Sequence, residues 1–470
     1  MKQLASLLVL AALAAPAAAQ QNPAIATYPV GNTTLTLSAL TTGLDTPWEL
    51  LWGPDNFLWM TERGGRISRI NPTTGQLTPL LTVPDVTETG ESGLLGMVVA
   101  PVAGAPANNY DVFVVYNYTD SGALKEKLVR YRYNGSTLIS PQVILGDIPA
   151  TTTHSGSRLL LLPDNTLLMT TGDAQQLPQA QSPTSLLGKV LRLNRDGSVP
   201  ADNPMPGSLV YTRGHRNPQG LVRTPSGRLY SSEHGPNNDD EVNFIEAGRN
   251  YGWPNVEGFC NLPAEQTFCT ANNVREPLVA YTPTLGVSGL TYYNHPAIPA
   301  WNNTLLLLSL KTGNFIPLQL NAAGTQVTDR TPLWTATYGR LRAICVSPQG
   351  RIYVGTSNRD GRNTPGPTDD RILVLENRAY MPQSTRGAGR VASLAAWPNP
   401  ATHTVTVQLP APAPGATLVL RDALGRVART APASSRPETT LDVRGLPRGL
   451  YVVQTATPDG LQYAHRLVLE

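Results

Sequence analysis

The chain has 470 residues, of which only 15% are charged, with 41 glycines, 42 prolines and a formal net charge of +3. So many turn-forming residues argue against long helices, and the length allows more than one domain. The small net charge and the lack of a Lys/Arg cluster with interleaved aromatic residues argue against nucleic-acid binding.

The first 19 residues have the pattern of a secretory signal peptide. Lys2 supplies a positive charge, Leu4 to Ala15 form an apolar stretch, and three alanines at 17–19 precede Gln20 as small residues for cleavage. The stretch is too short to span a bilayer as a helix. A buried N-terminal helix of the fold is the alternative. We therefore expect an exported mature protein without a transmembrane span.

A pattern of an apolar strand, a tight turn with proline and a second strand recurs along residues 20–376. The marker prolines are Pro54, Pro101, Pro163, Pro225, Pro296 and Pro348. Successive markers lie 47, 62, 62, 71 and 52 residues apart, the size of one four-stranded propeller blade with its loops. We predict an all-β chain with a six-bladed β-propeller over residues 20–376. A β-sandwich with chance proline turns is the alternative.

Two polar residues flank the hairpin of Pro163. His154 lies just before this hairpin, and Asp173 ends its second strand. Loops at blade ends face the central channel of a propeller, so the imidazole could act as a base while the carboxylate fixes its tautomer. A merely solvated loop histidine is the alternative.

The segment 214–241 is rich in groups that bind ions. Arg216 and Asn217 lie on a turn before a hairpin, and residues 232–241 combine carboxylates, amides and turn carbonyls that suit a hard cation such as Ca²⁺. Plain turns are the alternative. Further positive charge at blade edges comes from Lys311, Arg340 and Arg342. Converging cations would hold a multiply charged anion. The sequence has no glycine-rich phosphate loop that would identify this anion as a nucleotide.

The chain has three cysteines. Cys260 and Cys269 close a short loop, and an oxidising destination favours a disulfide between them. A zinc site is the alternative, although no further Cys or His nearby completes a tetrahedral set. Cys345 lies in an apolar run and is predicted to be a buried, inert thiol.

Beyond the propeller, residues 377–390 have the composition of a linker, and residues 391–470 form a compact strand-rich unit. Strands are predicted at 404–409, 417–420 and 449–454, so we expect a small C-terminal β-sandwich. A carbohydrate-binding accessory domain is the alternative, although few aromatic residues are available to stack on sugar rings.

Several motifs together resemble those of a known family. They are Leu50–Asn56 with Thr61–Arg63, Gly93–Gly96, Gly188–Asn194, Gly214–Leu221 and Asn250–Pro254. Across about residues 35–376 the chain resembles the soluble glucose/sorbosone (aldose sugar) dehydrogenases that depend on pyrroloquinoline quinone (PQQ). The resemblance implies oxidation of the anomeric hydroxyl of an aldose to the lactone, with hydride transfer to Ca²⁺-bound PQQ. A quinone or a small redox protein would then accept the electrons.

The resemblance also implies a role for each matching residue. His154 would be the general base, Asp173 would orient its imidazole, and Arg216 would stabilise negative charge on the quinone oxygen. The residues that hold PQQ would be Arg216, Asn217, His234, Thr284, Lys311, Arg340 and Arg342. The metal ligands would be the carbonyls of Gly235 and Pro236 at the Ca²⁺ that contacts PQQ, and Glu241 and Tyr251 at a second, structural calcium site.

Some positions differ from the glucose-oxidising relatives. Glu91 replaces a glutamine, Thr153 replaces an aspartate before the catalytic histidine, and His234 replaces another glutamine. An aromatic pair that covers PQQ is lost near Val279 and Thr282, whereas Thr284 is retained. We expect the cofactor chemistry to survive and the sugar preference and cofactor affinity to change.

The C-terminal unit resembles the sorting domain of the Bacteroidetes type IX secretion system. The matching segments are Trp397–Pro400, Asp422–Val427 and Leu441–Tyr451. The resemblance implies recognition by that machinery, passage across the outer membrane to the cell surface or the medium, and removal of the domain.

Two other classes of function remain open for the propeller. One is a non-catalytic propeller that binds glycans or a protein. The other is a calcium-dependent lactonase, which would need carboxylates instead of Arg and Lys around its channel. The presence of His154, Arg216 and Lys311 favours the dehydrogenase.

Overall fold

The structure is a computed structural model of the chain and describes residues 22–102, 109–381, 392–409, 416–422, 426–433, 438–456 and 462–470. The chain divides into two compact units, Met1–Tyr380 and Met381–Glu470. The predicted signal peptide, residues 1–19, and residues 382–390 of the predicted linker lie outside the described residues. Within the described ranges, no helix is both long and apolar enough to cross a membrane.

The first unit consists of six antiparallel sheets. Its N-terminal strands are β1 (Ala24–Val30) and β2 (Thr33–Thr41). Five sheets of four consecutive strands follow: β3 (Pro47–Trp52), β4 (Leu58–Glu62), β5 (Arg66–Ile70) and β6 (Leu77–Thr82); β7 (Leu94–Pro101), β8 (Tyr110–Asp120), β9 (Ala123–Tyr133) and β10 (Leu138–Pro149); β11 (Gly156–Leu161), β12 (Leu167–Thr171), β13 (Lys189–Leu193) and β14 (Val210–Arg213); β15 (Pro218–Arg223), β16 (Leu229–Glu233), β17 (Asp240–Ile245) and β18 (Val279–Tyr281); β19 (Val287–Tyr293), β20 (Thr304–Ser309), β21 (Phe315–Leu320) and β22 (Val327–Asp329). The last sheet contains β23 (Leu341–Val346), β24 (Ile352–Thr356) and β25 (Ile372–Glu376), and β2 and then β1 extend it.

The strand that begins each blade, which is β23 in the last sheet, belongs to a closed central ring. Strands β3, β7, β11, β15, β19 and β23 contact one another in this order, and β23 returns to β3. The six sheets are therefore the blades of a propeller, and β2 closes it by pairing with β25. Five of the six marker prolines lie between the first and second strands of a blade, and Pro101 is the last residue of β7, the first strand of its blade. The predicted six-bladed propeller is confirmed, and the sandwich alternative is wrong for this unit.

The second strands of the blades are buried on both faces. Every residue of β4, β12, β16, β20 and β24 is buried. Blades stack face to face, so both sides of these strands meet neighbouring sheets and the sequence shows apolar runs instead of alternation. Aromatic residues fill the gaps between blades; the ring of Trp59, for example, meets Tyr133 edge-on at 5.0 Å.

The connections between strands alternate between two faces of the propeller, because neighbouring strands are antiparallel. The proline turns lie on one face. The loops that enter each first strand and those between second and third strands lie on the other, which we call the loop face. All six first strands begin, at the loop face, with an irregular register against their second strand. Such bulges redirect side chains next to functional sites.

The longest connection joins β17 to β18 and contains α1 (Pro263–Asn272), the one α-helix of the described residues. Within it, Cys260 and Cys269 form a disulfide with an S–S distance of 2.02 Å. The disulfide prediction is confirmed, and the zinc alternative is wrong. Cys345 is a free, buried thiol as predicted, and burial raises its pKa.

The second unit contains two sheets. The strands are β26 (Ala392–Ser393), β27 (Ala395–Trp397), β28 (Thr404–Gln408), β29 (Thr417–Asp422), β30 (Val427–Pro432), β31 (Glu438–Asp442), β32 (Gly449–Ala456) and β33 (Gln462–Leu469). One sheet has the order β26-β33-β32-β29-β30, the other β27-β28-β31. Their facing side chains form one core around the fully buried Val405, Leu418, Val453 and Leu467. The predicted small β-sandwich is confirmed.

Candidate active site

The loop face contains a cavity of about 450 Å³. Loops of all six blades contribute to its lining, so the cavity lies at the propeller axis. The predicted site residues that line it are His154, Arg216, His234, Gly235, Pro236, Thr284, Lys311, Arg340 and Arg342. Asp173, Asn217, Glu241 and Tyr251 are not part of this lining.

His154 lies on the wall of this cavity, and a carboxylate behind the wall fixes the orientation of its imidazole. Its Nδ1 is 2.8 Å from Oδ1 of Asp173, which is fully buried. The backbone of His154 is left-handed (φ 59°), and its carbonyl comes so close to Gly172 that a Cβ there would lie 1.8 Å from it. Burial opposes ionisation of Asp173, but hydrogen bonds from His154 and other donors outweigh it and lower its pKa. An ionised Asp173 accepts a hydrogen bond from the N–H at Nδ1 of His154, so this proton stays on the imidazole and Nε2 is left as the acceptor.

Arg216 is held by the buried carboxylate of Glu233, a residue of the segment 232–241 for which the sequence predicted no individual role. Glu233 ends β16, and its Oε1 accepts the backbone N–H groups of Arg216 and Asn217. Its Oε2 is 2.8 Å from Nδ1 of His215. The guanidinium of Arg216 extends over the ring of Trp253, 5.4 Å from its centroid. Burial lowers the pKa of Arg216, and its Nε is buried without a hydrogen-bond partner among the residues that the structure describes.

The charged residues of the cavity leave an excess of positive charge. The cationic lining residues are Arg63, Arg216, Lys311, Arg340, Arg342 and Arg362, and the carboxylates are Glu91, Asp240 and Asp360. These six cations and three carboxylates, all within the described part of the chain, leave three positive charges when the histidines are not counted. A tricarboxylate such as PQQ fits this excess.

Three of these cations have no ion-pair partner among the described residues, namely Arg216, Lys311 and Arg342. Nζ of Lys311 contacts Oγ1 of Thr284 at 3.1 Å, and Nη1 of Arg342 contacts Oε1 of Gln219 at 3.1 Å. Burial lowers the pKa of Arg342 to about 10. Unpaired cations in a concave site attract an anionic ligand.

Asn217 is buried and does not line the cavity, and its Nδ2 has no hydrogen-bond partner among the described residues. Its predicted contact with the cofactor stays a prediction. Its Oδ1 accepts the side-chain N–H of Gln219 at 3.0 Å and the backbone N–H of Gly156 at 3.1 Å. Because Gln219 also accepts from Arg342, one chain of hydrogen bonds connects three blades. The other end of this chain of hydrogen bonds is Gly156, two residues from His154.

Glu241 and Tyr251 line a separate, smaller pocket beside the Gly235–Pro236 turn. Burial and the neighbouring Glu233 raise the pKa of Glu241 to about 8. The hydroxyl of Tyr251 is already bonded to the backbone of Phe244 and Glu246, so only its backbone carbonyl is available to a cation. The described residues contain no group of three or more His, Cys, Asp or Glu suited to a metal. A cation here would depend on carbonyl oxygens together with Glu241, a donor set that Ca²⁺ accepts.

Three positions that the resemblance implies are changed, Glu91, Thr153 and His234, lie at the cavity. Oε1 of Glu91 is 3.0 Å from Nη2 of Arg362, and Oε2 is 3.5 Å from the backbone N–H of His154. Although burial opposes its ionisation, the surrounding cationic groups lower the pKa of Glu91. Thr153 accepts a hydrogen bond from Gln175 and also lines the cavity. Val279 and Thr282, in contrast, are not part of the lining.

Several lining residues were not predicted. Arg63 and Asp240 lie inside segments already singled out, Thr61–Arg63 and 232–241, and could have been included on that ground. Asp360 and Arg362 lie in the connection between β24 and β25, where no motif marks them.

Comparisons with known proteins agree with this geometry. Residues 44–366 match the family model described as glucose/sorbosone dehydrogenase, and residues 395–470 match a secretion system C-terminal sorting domain. The chain is 34% identical over 402 residues to quinoprotein glucose dehydrogenase B of Acinetobacter calcoaceticus, which covers 67% of this chain and 83% of that protein.

Solved structures give the same result for the propeller. The PQQ-bound form of aldose sugar dehydrogenase from Streptomyces coelicolor is similar with a TM-score of 0.63 and 31% identity, over 74% of this chain and 99% of that one. The apo form of the soluble aldose sugar dehydrogenase from Escherichia coli is similar with a TM-score of 0.64 and 30% identity, over 73% and 100%.

Proposed function

The chain belongs to the glucose/sorbosone dehydrogenase family, and we propose that it oxidises the anomeric hydroxyl of an aldose sugar to the lactone with PQQ as the resident cofactor. The observation that carries the proposal is the position of His154. It lies on one wall of a cavity whose other walls present Arg216, Lys311, Arg340 and Arg342.

His154 takes the proton in this proposal. Nδ1 is engaged by Asp173 at 2.8 Å, and Nε2 has no partner among the described residues. Nε2 is therefore the atom that would accept the proton of the anomeric hydroxyl. The left-handed backbone at His154 and the carboxylate behind it fix the ring before the sugar arrives, which lowers the entropic cost of the correct geometry.

The unpaired cations would hold the cofactor. Arg216, Lys311 and Arg342 lack ion-pair partners within the described residues, and Arg340 is paired with Asp360 at 2.6 Å. When bound, PQQ supplies a quinone that accepts a hydride, and Ca²⁺ makes that quinone more electrophilic. The guanidinium of Arg216, fixed over Trp253, is placed to stabilise negative charge that develops on a bound ligand.

Calcium would bind beside this anion site. The carbonyls of Gly235 and Pro236 are proposed as its ligands at the cavity, and Glu241 with the carbonyl of Tyr251 at the smaller pocket. A buried carboxylate with a pKa of about 8 is the kind of group that a bound cation stabilises. A diffusible quinone or a small redox protein is the proposed electron acceptor.

The C-terminal sorting domain supports export through the type IX secretion system. We propose that the signal peptide carries the chain across the inner membrane and that the sorting domain directs it across the outer membrane. The enzyme would then act at the cell surface or in the medium.

Reconstitution tests the enzymatic proposal. The purified chain is mixed with PQQ and CaCl₂, and both the quinone absorbance and the aldose-dependent reduction of a dye are followed. The proposal predicts a bound-quinone spectrum and turnover that requires both additions. A chain that binds glycans without turnover, or that hydrolyses a lactone with Ca²⁺ alone, would contradict it.

A further inference from the structure

Asp240, at the start of β17, is fully buried, and within the part of the chain that the structure describes it accepts only backbone N–H groups. Its Oδ1 accepts from Gly235 at 2.9 Å. Its Oδ2 accepts from Leu285 at 2.8 Å, Gly286 at 2.6 Å and Val287 at 3.1 Å. Within the described ranges no Lys, Arg or His forms a salt bridge with it. A single carboxylate therefore satisfies four donors from two separate loops.

The first of these loops is the turn that contains Gly235 and Pro236. It coils so tightly that a Cβ on Gly235 would lie 1.9 Å from the carbonyl oxygen of Asn238. Asp239 has a left-handed backbone (φ 59°), which is uncommon for a residue other than glycine. Asp240 closes the turn through the N–H of Gly235 and so fixes the direction of the carbonyls within it.

The second loop enters β19 and positions two cavity residues. The N–H of Thr284 is bonded to the carbonyl of Asn237 at 3.1 Å, which joins the two loops directly. The carbonyl of Leu285 accepts the backbone N–H of Lys311 at 3.0 Å. Asp240 thus connects the turn of Gly235 and Pro236 to the loop that places Thr284 and Lys311.

We propose that Asp240 is a positioning residue for the cofactor: it aims the carbonyls of Gly235 and Pro236 at Ca²⁺ and keeps Lys311 in register with them. This inference rests on the proposed function. Asp240→Asn has nearly the same shape but places an NH₂ group where a carboxylate oxygen accepts, so at least one backbone donor loses its partner.

Asp370 provides a matched control. It is also fully buried, and it accepts the backbone N–H groups of Thr46 at 3.1 Å and Arg359 at 3.2 Å, and the hydroxyl of Thr356 at 3.0 Å. It joins the last blade to the first and does not contact the Gly235–Pro236 turn. A purely structural carboxylate of this kind affects stability without affecting calcium affinity.

The test is a Ca²⁺ titration of wild type, Asp240→Asn and Asp370→Asn with two readouts. The melting temperature is followed without PQQ, and the quinone absorbance is followed at a fixed concentration of PQQ. Both variants are expected to melt at lower temperature than wild type before Ca²⁺ is added. Only Asp240→Asn is expected to need more Ca²⁺ to reach half-saturation, by about tenfold or more. Equal Ca²⁺ midpoints in all three proteins would overturn the inference.

A second variant covers the case in which Asp240→Asn does not fold. Asp240→Glu keeps the charge and moves it by one methylene, and the expected result is again a raised Ca²⁺ midpoint; an unchanged midpoint would equally overturn the role. If wild type itself responds to neither Ca²⁺ nor PQQ, the proposed function fails, and this inference with it. If instead wild type binds both Ca²⁺ and PQQ and the Asp240 variant has the same Ca²⁺ midpoint, only this inference fails.

Discussion

The indole Nε1 of Trp253 donates a hydrogen bond to Oδ2 of Asp173 at 2.8 Å, while Oδ1 of the same carboxylate contacts His154. The ring of Trp253 also lies beneath Arg216. One side chain therefore supports both the proposed base and the proposed charge clamp.

Trp253→Phe removes the donor and retains an aromatic ring. Loss of a hydrogen bond to a buried carboxylate is expected to cost about 1–3 kcal/mol, part of it in stability and part in the orientation of the His154 ring. We expect kcat to fall by roughly tenfold with PQQ affinity little changed. Urea unfolding and steady-state kinetics measure the two effects. Unchanged kcat would mean that the indole does not orient the base.

Gln219 connects Arg342 to Asn217 below the cavity. Gln219→Met preserves the length of the side chain but removes both the acceptor and the donor. Because Arg342 then keeps its contacts with Ser357 and Trp48 but loses the hydrogen bond to Gln219, we expect PQQ to bind about tenfold more weakly, which corresponds to about 1.4 kcal/mol. A PQQ titration followed by quinone absorbance provides the value. An affinity equal to wild type would show that the hydrogen bond to Gln219 is not needed to hold Arg342 for the cofactor.

Glu91 pairs with Arg362 at the cavity wall, with Oε1 3.0 Å from Nη2. Glu91→Gln removes the charge but retains a hydrogen-bonding oxygen. Since the pair is partly exposed, the loss is expected to be modest, about 0.5–1.5 kcal/mol. Because Oε2 of Glu91 faces the backbone N–H of His154, the proposed base, we expect this loss in sugar binding. The KM values for a panel of aldoses are expected to change several-fold and unequally, so that the order of preference among the sugars changes. The affinity for PQQ is expected to stay the same. A uniform effect on all sugars and on PQQ would contradict this assignment.

Glu126 predicts a pH dependence of stability. It is buried on β9, where it accepts a hydrogen bond from Oγ of Ser157 at 2.7 Å, and burial raises its pKa to about 8 from an ordinary value of 4.5. Between these values the folded state retains a proton that the unfolded state has lost, so stability falls as pH rises from about 4.5 to 8. Glu126→Gln stays neutral and is expected to remove this contribution, which is on the order of a few kcal/mol.

Parallel denaturant unfolding at pH 5 and pH 8 checks this prediction. Wild type is expected to lose more stability than Glu126→Gln over that interval. Identical losses in the two proteins would mean that Glu126 is ionised in the folded state.

The sequence predicts the propeller well because its strongest signal is local. A proline turn between two apolar strands involves about ten residues, and each marker proline lies at the end of the first strand of a blade or just after it. The closure by β2 and β25 was not predicted, because it joins residues more than 300 positions apart, such as Thr36 and Glu376, and no local pattern reports such a pairing.

The site was predicted where a residue type matches a motif and missed where the role depends on packing. His154 and Lys311 lie at the cavity, as their positions in loops suggested. Glu233 and Trp253 act through side chains that meet only in the folded protein, and strand bulges, which redirect inner residues such as Arg342, have no signature in sequence. For the same reason the burial of Asn217 behind the cavity could not be anticipated.

The central claim is that His154 is a base facing a cofactor held by fixed cations, and His154→Ala tests it most directly. The variant and wild type are loaded with PQQ and Ca²⁺ and mixed with sugar in a stopped-flow instrument, with the quinone absorbance followed. The predicted result is wild-type PQQ affinity with sugar-driven reduction slowed by about 100-fold or more. Reduction at the wild-type rate would contradict the account.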